Sequence, residues 1–148
     1  MILNAERMLI KVKKIVLMAS MDKFDELREF IYAEMEPPYF SDQVRTEIEL
    51  IVDEVFTNIA SYAYESVNGS VAVYIEADED KITIKFEDTG KEFNPLEFSE
   101  PDLDTSLSER DIGGLGIHFA KNIMDELTYV YAGNKNILSM TKYMRKDR

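Results

Sequence analysis

Two polar side chains four residues apart, Glu54 and Asn58, lie in a stretch whose apolar residues have helical spacing. In an α-helix this spacing places them one above the other on the same face. Ile51, Val55 and Ile59 beside them belong to the apolar stripe, so the carboxylate and the amide are expected at the edge of the core, facing a cleft. Asparagine is not favoured inside helices for stability. A solvated boundary pair has the same pattern, and the spacing alone favours that interpretation.

A second candidate is an aspartate that ends the inward-facing row of a predicted strand. Ile82, Ile84 and Phe86 alternate along the strand, and the period of two residues places Asp88 on the same face. Because an unpaired buried carboxylate is costly, Asp88 needs a donor, which the exocyclic amine of a ligand would supply. Gly90 would let the chain turn beside that ligand. The pattern is equally typical of an aspartate that starts a turn and accepts from its own backbone.

The third candidate is a glycine cluster that opens a predicted helix. Gly113, Gly114 and Gly116 are three of the six glycines in the chain. Glycines let backbone N–H groups approach a ligand, and a helix N-terminus carries partial positive charge, so the pattern favours phosphate binding over a simple hinge. No Gly-Lys-Ser/Thr is present and no strand directly precedes the cluster, so the spacing matches neither the Walker nor the Rossmann loop.

Two helices and several strands must position these groups. Apolar residues at helical spacing predict a long helix from Ser41 to about Ser66, with one buried face. An earlier helix is predicted from Ser20 to Glu36, where Pro37-Pro38 would end it. The predicted strands are Arg7–Ala19, the hairpin Val71–Ala77 and Ile82–Asp88, and the pair Leu127–Ala132 and Ile137–Met144, turned at Gly133-Asn134.

The order of these elements predicts a single α+β domain over residues 1–148. It is a two-layer α/β sandwich with a mixed, mostly antiparallel sheet and its helices on one face. Residues 89–112 show little periodicity, contain two prolines and carry many acidic side chains. Since connections of that length in compact domains are uncommon, we interpret this segment as a flexible lid or binding loop.

Composition limits the classes of function. The chain has 148 residues, 45% hydrophobic and 31% charged, which is typical of one soluble globular domain. No apolar run approaches the roughly 18 residues of a membrane span, and the first ten residues do not resemble a signal peptide. The sequence has no cysteine, which excludes disulfides and is compatible with a cytoplasmic location.

The net charge of −12 disfavours direct nucleic-acid binding. A phosphate-bearing ligand would be repelled as well, unless a metal cation and directed N–H groups overcome the field. His118 is the only histidine, and the sequence has no Gly-x-Ser-x-Gly turn for a serine hydrolase.

In their order and spacing, the three candidate segments resemble the N, G1 and G2 boxes of the GHKL ATPase superfamily, whose domain is the Bergerat fold. The resemblance is strongest to bacterial anti-sigma factor serine kinases of the RsbW and SpoIIAB type. It rests on Glu54-x-x-x-Asn58, on Asp88-x-Gly90, and on Gly113-Gly114-Leu115-Gly116-Ile117 with the helix that follows. The segment from Asn136 to Lys142 resembles the closing strand of that family.

This resemblance implies a role for each matched position. Asn58 would ligate Mg²⁺, and Asp88 would accept a hydrogen bond from the adenine amino group of ATP. Glu54 would be the general base for a serine hydroxyl. The glycines of the third box would wrap the phosphates, and Thr141 on the closing strand would lie near the nucleotide.

The activity implied is that of an ATP-dependent kinase that binds a sigma factor and phosphorylates a STAS-domain anti-anti-sigma protein. A homodimer is a further implication of the resemblance. Two alternatives stay open: a non-catalytic nucleotide-binding module that acts by partner exchange, and a related kinase that activates a phosphatase.

Overall fold

The computed structural model describes residues 12–36, 39–64, 69–97 and 120–144. In chain order its elements are β1 (Lys13–Met18), a 3-10 turn (Met21–Lys23), α1 (Phe24–Tyr32), α2 (Asp42–Asn58), a π-helical turn (Ile59–Ala63), β2 (Ser70–Ala77), β3 (Lys81–Asp88), a 3-10 turn (Pro95–Glu97), β4 (Glu126–Ala132) and β5 (Lys135–Tyr143). Residues 120–123, just before β4, are helical. No helix within these ranges is long and apolar enough to cross a bilayer.

The strands form one five-stranded sheet in the order β1-β2-β3-β5-β4, and every neighbouring pair is antiparallel. Side chains alternate between the two faces, as the period of a strand requires. One face is buried along the three central strands, through Val71, Val73, Ile75, Ile82, Ile84, Phe86, Leu138 and Met140. The α+β fold class with an antiparallel sheet is thereby confirmed.

The two helices bury their apolar stripes in the same core as the inner face of the sheet. Helix α2 begins after Ser41, whose Oγ accepts a hydrogen bond from the Val44 amide at 3.2 Å and so caps the helix. Its buried residues are Ile48, Ile51, Val52, Val55, Phe56 and Asn58, which follow the predicted stripe. Phe24 at the start of α1 meets Phe56 edge to face, with ring centroids 6.2 Å apart.

Both helices are shorter than predicted. Helix α1 ends at Tyr32, and the amides of Glu34 and Met35 bond to carbonyls three residues earlier, so the chain leaves the helix through tight turns before the two prolines. The α-helical part of the long helix ends at Asn58 and continues as one π turn through Ala63. Pro37, Pro38 and residues 65–68 lie outside the described residues.

The strand predictions hold within a few residues. Strand β1 covers the second half of the predicted Arg7–Ala19 strand, and residues 7–11 are outside the described part of the chain. The β4–β5 hairpin turns at the predicted dipeptide, where Gly133 and Asn134 both have positive φ, 60° and 61°. Such a pair of left-handed residues fits a two-residue hairpin with Ala132 opposite Lys135.

Candidate functional site

A cavity opens where the end of α2 and its π turn meet the end of β3 and the start of β5. The segment that follows β3 closes one side, and β4 contributes one aromatic side chain. The cavity is lined by Val55, Asn58, Ile59, Tyr62, Ala63, Phe86, Asp88, Lys91, Phe93, Pro95, Tyr129, Asn136 and Leu138. Most of these side chains are apolar or aromatic, with a few polar groups among them, as is usual for small-molecule sites.

Asn58 reaches this cavity because it interrupts the buried stripe of α2 at the last residue of the helix. Its side chain is only 8% exposed, although it is polar. The described residues provide no hydrogen-bond partner for its buried Nδ2 atom. Buried polar groups in native proteins are normally paired, so this amide indicates a missing partner in the cavity. The boundary-pair interpretation therefore does not describe Asn58.

Asp88 lies on the inner face at the end of β3, as the alternation predicted, and is 6% exposed. Its Oδ1 accepts from the Gly90 amide and from Asn136 Nδ2, each at 2.9 Å. No group of the described residues donates to its other oxygen. Burial raises the pKa of Asp88, and the hydrogen bonds from Asn136 and Gly90 oppose that rise. The turn interpretation is thus confirmed for Oδ1, and a ligand donor to the other oxygen stays a prediction.

Gly90 is required here because the chain after β3 passes against the π turn. A Cβ on this residue would lie 2.3 Å from the carbonyl oxygen of Ala63, a distance that no side chain tolerates. The same carbonyl accepts from the Lys91 amide at 2.9 Å. The π turn and residues 90–91 therefore form one wall of the cavity, and π turns inside helices occur frequently at functional sites.

Glu54 lies one helical turn before Asn58 and is partly buried. The structure places it beside the cavity and not among the residues that line it. Its neighbour Asp53 is directed toward α1, where burial raises the pKa of its carboxyl to about 6 while the Arg28 guanidinium opposes the rise. Of the predicted pair, Asn58 therefore lines the cavity and Glu54 does not.

Thr141 lies on the outer face of the sheet. Thr141 is opposite Thr83 on β3 and opposite Glu126 on β4, and its hydroxyl lies 3.0 Å from that of Thr83. Asp88 and Asn136 occupy the inner face of the same two strands. Thr141 is five residues after Asn136. Because side chains alternate between the two faces of a strand, an odd separation places Thr141 on the outer face. It is therefore not one of the described residues that form the cavity.

Asn136 is the residue of β5 whose polar side chain lines the cavity, and it was not predicted from the sequence. This side chain is 6% exposed and begins the inner row of β5, ahead of Leu138 and Met140. The sequence pattern that pointed to Asp88, a polar residue at the end of an alternating apolar row, is also present at Asn136. Tyr129 and Lys91 were also missed, and Lys91 is the one cationic side chain among the described residues of the cavity wall.

The structure describes residues 89–97 of the predicted lid, and hydrogen bonds hold this segment. The Leu96 amide donates to Asn94 Oδ1 at 2.9 Å, and Lys121 Nζ, from the helical segment at 120–123, donates to the Leu96 carbonyl at 3.1 Å. Pro95 is buried against the cavity. Residues 89–97 thus have a defined conformation. Residues 98–112 of the predicted lid and the glycine cluster Gly113, Gly114 and Gly116 lie outside the described residues.

A magnesium ion held mainly by nucleotide phosphates would fit this chemistry. Mg²⁺ in such sites takes one or two protein oxygens and completes its shell with phosphate and water oxygens. Asn58 lines the cavity and could supply one such oxygen from its side-chain amide. Within the same ranges no cluster of three or more His, Cys, Asp or Glu side chains could hold a metal alone.

Comparison with known proteins agrees with this geometry. The model of the histidine kinase-like ATPase domain matches residues 17–142. The chain belongs to this family. The serine-protein kinase RsbW from two Staphylococcus aureus strains, bovine RF122 / ET3-1 and MRSA252, is 33% identical to it over 108 residues, which is 69% of this chain and 67% of each relative. Within the family, the chain therefore groups with serine-protein kinases.

A solved structure supports the fold separately. The Acinetobacter baumannii histidine kinase AdeS superposes with a TM-score of 0.50 over 95% of this chain and 72% of its own, at 14% identity. At that identity the likeness concerns the fold alone. Asn58 and Asp88, which carried the resemblance to the N and G1 boxes in the sequence, both line the described cavity.

Proposed function

We propose that the protein is an ATP-dependent serine kinase that binds a sigma factor and phosphorylates a STAS-domain anti-anti-sigma protein. The observation that supports this most strongly is that two buried polar side chains, Asn58 and Asp88, line the same cavity. They come from a helix and a strand far apart in sequence, and the described residues leave the Asn58 Nδ2 atom without a hydrogen-bond partner.

Asp88 and Asn58 would contact opposite ends of the nucleotide. The adenine amino group would donate to the unpaired oxygen of Asp88, with Phe86, Leu138 and Phe93 supplying apolar surface for the base. Asn58 would hold Mg²⁺, which neutralises phosphate charge when bound. The glycines at 113, 114 and 116 would direct backbone N–H groups at the phosphates. A metal and directed donors are needed because the net charge is −12.

Glu54 is the proposed general base. It would accept the proton of the substrate serine hydroxyl as the serine oxygen forms a bond to the γ-phosphorus and the bond to the β-phosphate oxygen breaks, releasing ADP. Its position one helical turn from Asn58 and outside the cavity wall suits a group that serves a second substrate arriving from the margin. Phosphoryl transfer is mainly positioning and charge neutralisation, so few protein groups suffice.

The alternative is a module that binds nucleotide and exchanges partners without catalysis, which would need no base at Glu54. The two proposals are separated by incubating the purified protein with Mg-ATP and a STAS-domain protein from the same organism. Phosphoserine on the STAS protein supports the kinase. Measurable ATP binding with no phosphoserine would support the non-catalytic module. We also propose a cytoplasmic location and a homodimer, to be tested by fractionation and by light scattering.

A further inference from the structure

Asn136 makes more polar contacts than any other described residue of the cavity, and several of them come from its amide nitrogen. Nδ2 lies 2.9 Å from Asp88 Oδ1, 2.9 Å from the Lys91 carbonyl and 3.3 Å from the Gly90 carbonyl. Two N–H bonds therefore serve three acceptors. All three acceptors belong to the end of β3 and the residues just after it.

The amide oxygen of the same side chain accepts two further bonds. The Phe93 amide donates to Oδ1 at 3.0 Å, and the Tyr129 hydroxyl on β4 donates to it as well. Phe93 and Tyr129 both line the cavity. One buried amide thus joins β3, β4, β5 and the segment 90–93 at the point where the base of a nucleotide would lie.

We propose that Asn136 is a positioning residue for base selectivity: it orients Asp88 and fixes residues 90–93 against the cavity. The inference rests on the proposed nucleotide function. With Oδ1 held by Asn136 and Gly90, rotation of the carboxylate about its last side-chain bond would break both hydrogen bonds. The second oxygen therefore keeps one direction, which preorganises it as an acceptor.

This orientation selects adenine chemically. The amino group at C6 of adenine donates to a carboxylate, whereas guanine carries a carbonyl oxygen there, and two acceptors facing each other repel. A fixed Asp88 carboxylate discriminates between them, because a polar group of the site is left unpaired with the wrong base. A carboxylate that rotates freely can avoid the guanine oxygen, so the loss of Asn136 should reduce selectivity as well as affinity.

The test measures the dissociation constants of Mg-ATP and Mg-GTP by calorimetry for the wild type, Asn136→Leu and Asp88→Asn. We expect Asn136→Leu to lower the ratio of ATP to GTP affinity about tenfold or more, since a hydrogen bond to a charged group is involved. A variant that combines Asn136→Leu with Asp88→Asn should lose little more selectivity for ATP than Asp88→Asn alone, because both changes act on one contact. Equal losses for ATP and GTP would reduce Asn136 to a structural role and overturn the proposal.

Two further variants separate orientation from folding. Tyr74→Phe removes a hydroxyl that donates to Glu87 on the same sheet, away from the cavity lining, and leaves the contact between Nδ2 and Asp88, so it should preserve the ratio. Asn136→Thr keeps a hydroxyl donor in a shorter side chain and should recover part of the ratio lost in the leucine variant. It also serves if the leucine variant does not fold. Unchanged selectivity in a folded Asn136 variant contradicts the inference alone, whereas a wild type that binds no ATP contradicts the proposed function.

Discussion

Asp88 and Asn136 lie directly opposite each other on the neighbouring antiparallel strands β3 and β5, with the amide nitrogen of Asn136 2.9 Å from the carboxylate of Asp88. Both are buried on the inner face of the sheet. The described residues thus pair one carboxylate oxygen, and the proposed contact with adenine belongs to the other. The proposed recognition element is therefore built from two strands and not from Asp88 alone.

Substituting Gly90 tests the contact between the π turn and the segment after β3. Gly90→Ala would place a Cβ 2.3 Å from the Ala63 carbonyl oxygen, so one of the two segments must move. We expect a loss of about 1–3 kcal/mol in the free energy of unfolding. ATP affinity should fall too, because the amide that bonds Asp88 belongs to Gly90. Urea denaturation and calorimetry measure the two effects.

Gly133→Ala is the matched control for that experiment. Gly133 has a φ of 60° and no neighbour within 4 Å of an added Cβ, so the alanine variant suffers only from its left-handed backbone, at a cost of about 1–2 kcal/mol. Its stability loss should resemble that of Gly90→Ala while its ATP affinity stays unchanged. If both variants lost affinity equally, the position of Gly90 beside the cavity would have no special importance.

Thr141 provides a test of the face assignment. Thr141→Val removes the hydroxyl contact with Thr83 on the outer face, which should cost about 1 kcal/mol of stability at most. ATP affinity should change by no more than about twofold, because distant sites affect each other little. A loss comparable to that of Asp88→Asn would show that the outer face of β5 belongs to the nucleotide site after all.

The raised pKa of the Asp53 carboxyl predicts that the stability of the protein depends on pH. Its Oδ1 is buried, the described residues give it no hydrogen-bond partner, and burial raises its pKa from 3.8 to about 6. Since this pKa is higher in the folded than in the unfolded chain, the folded protein binds the proton more tightly. Its contribution to stability is therefore present at about pH 4 and is lost as the pH rises through about 6.

Asp53→Asn should remove that contribution. The variant should be more stable than the wild type at about pH 7.5, with a difference that shrinks as the pH falls to about 4. Urea denaturation at both pH values measures the difference in the free energy of unfolding between the variant and the wild type. A variant that is less stable than the wild type at neutral pH would show that the Asp53 charge is compensated, for example by Arg28.

Glu54 and Asn58 should separate catalysis from binding. Glu54→Gln keeps the shape of the side chain and removes the base, so it should retain ATP affinity and lose about 10²-fold or more in the rate of serine phosphorylation. Asn58→Ala should weaken Mg-ATP binding itself. Single-turnover transfer to a STAS-domain protein, with calorimetry alongside, distinguishes them. Equal transfer rates for Glu54→Gln and wild type would remove Glu54 from the mechanism.

Alternation of apolar residues predicted the strands, the inner face of β3 and the placement of Asp88. These features follow from a period of two residues that burial enforces locally. Helical spacing placed Asn58 beside the apolar stripe of α2, at the edge of the core, whereas the structure buries it. The resemblance to a known family linked both residues to one ligand, which neither pattern shows on its own.

The features that the sequence did not predict have equally specific causes. The family motif that includes Thr141 carries no information about its face, whereas alternation from Asn136 places it on the outer face. The contacts of Asn136 depend on strand β4 and on the path of residues 90–93, and neither is visible in the local sequence. The π turn at 59–63 was missed because it carries the same apolar spacing as the α-helix before it.

The most direct test of the central claim is calorimetric titration of ATP into the wild type and Asp88→Asn, with and without magnesium. The account expects saturable binding to the wild type in magnesium, weaker binding after the metal is chelated, and a loss of about tenfold or more in Asp88→Asn. Absence of ATP binding by the wild type in magnesium, or equal affinity in the variant, would contradict it.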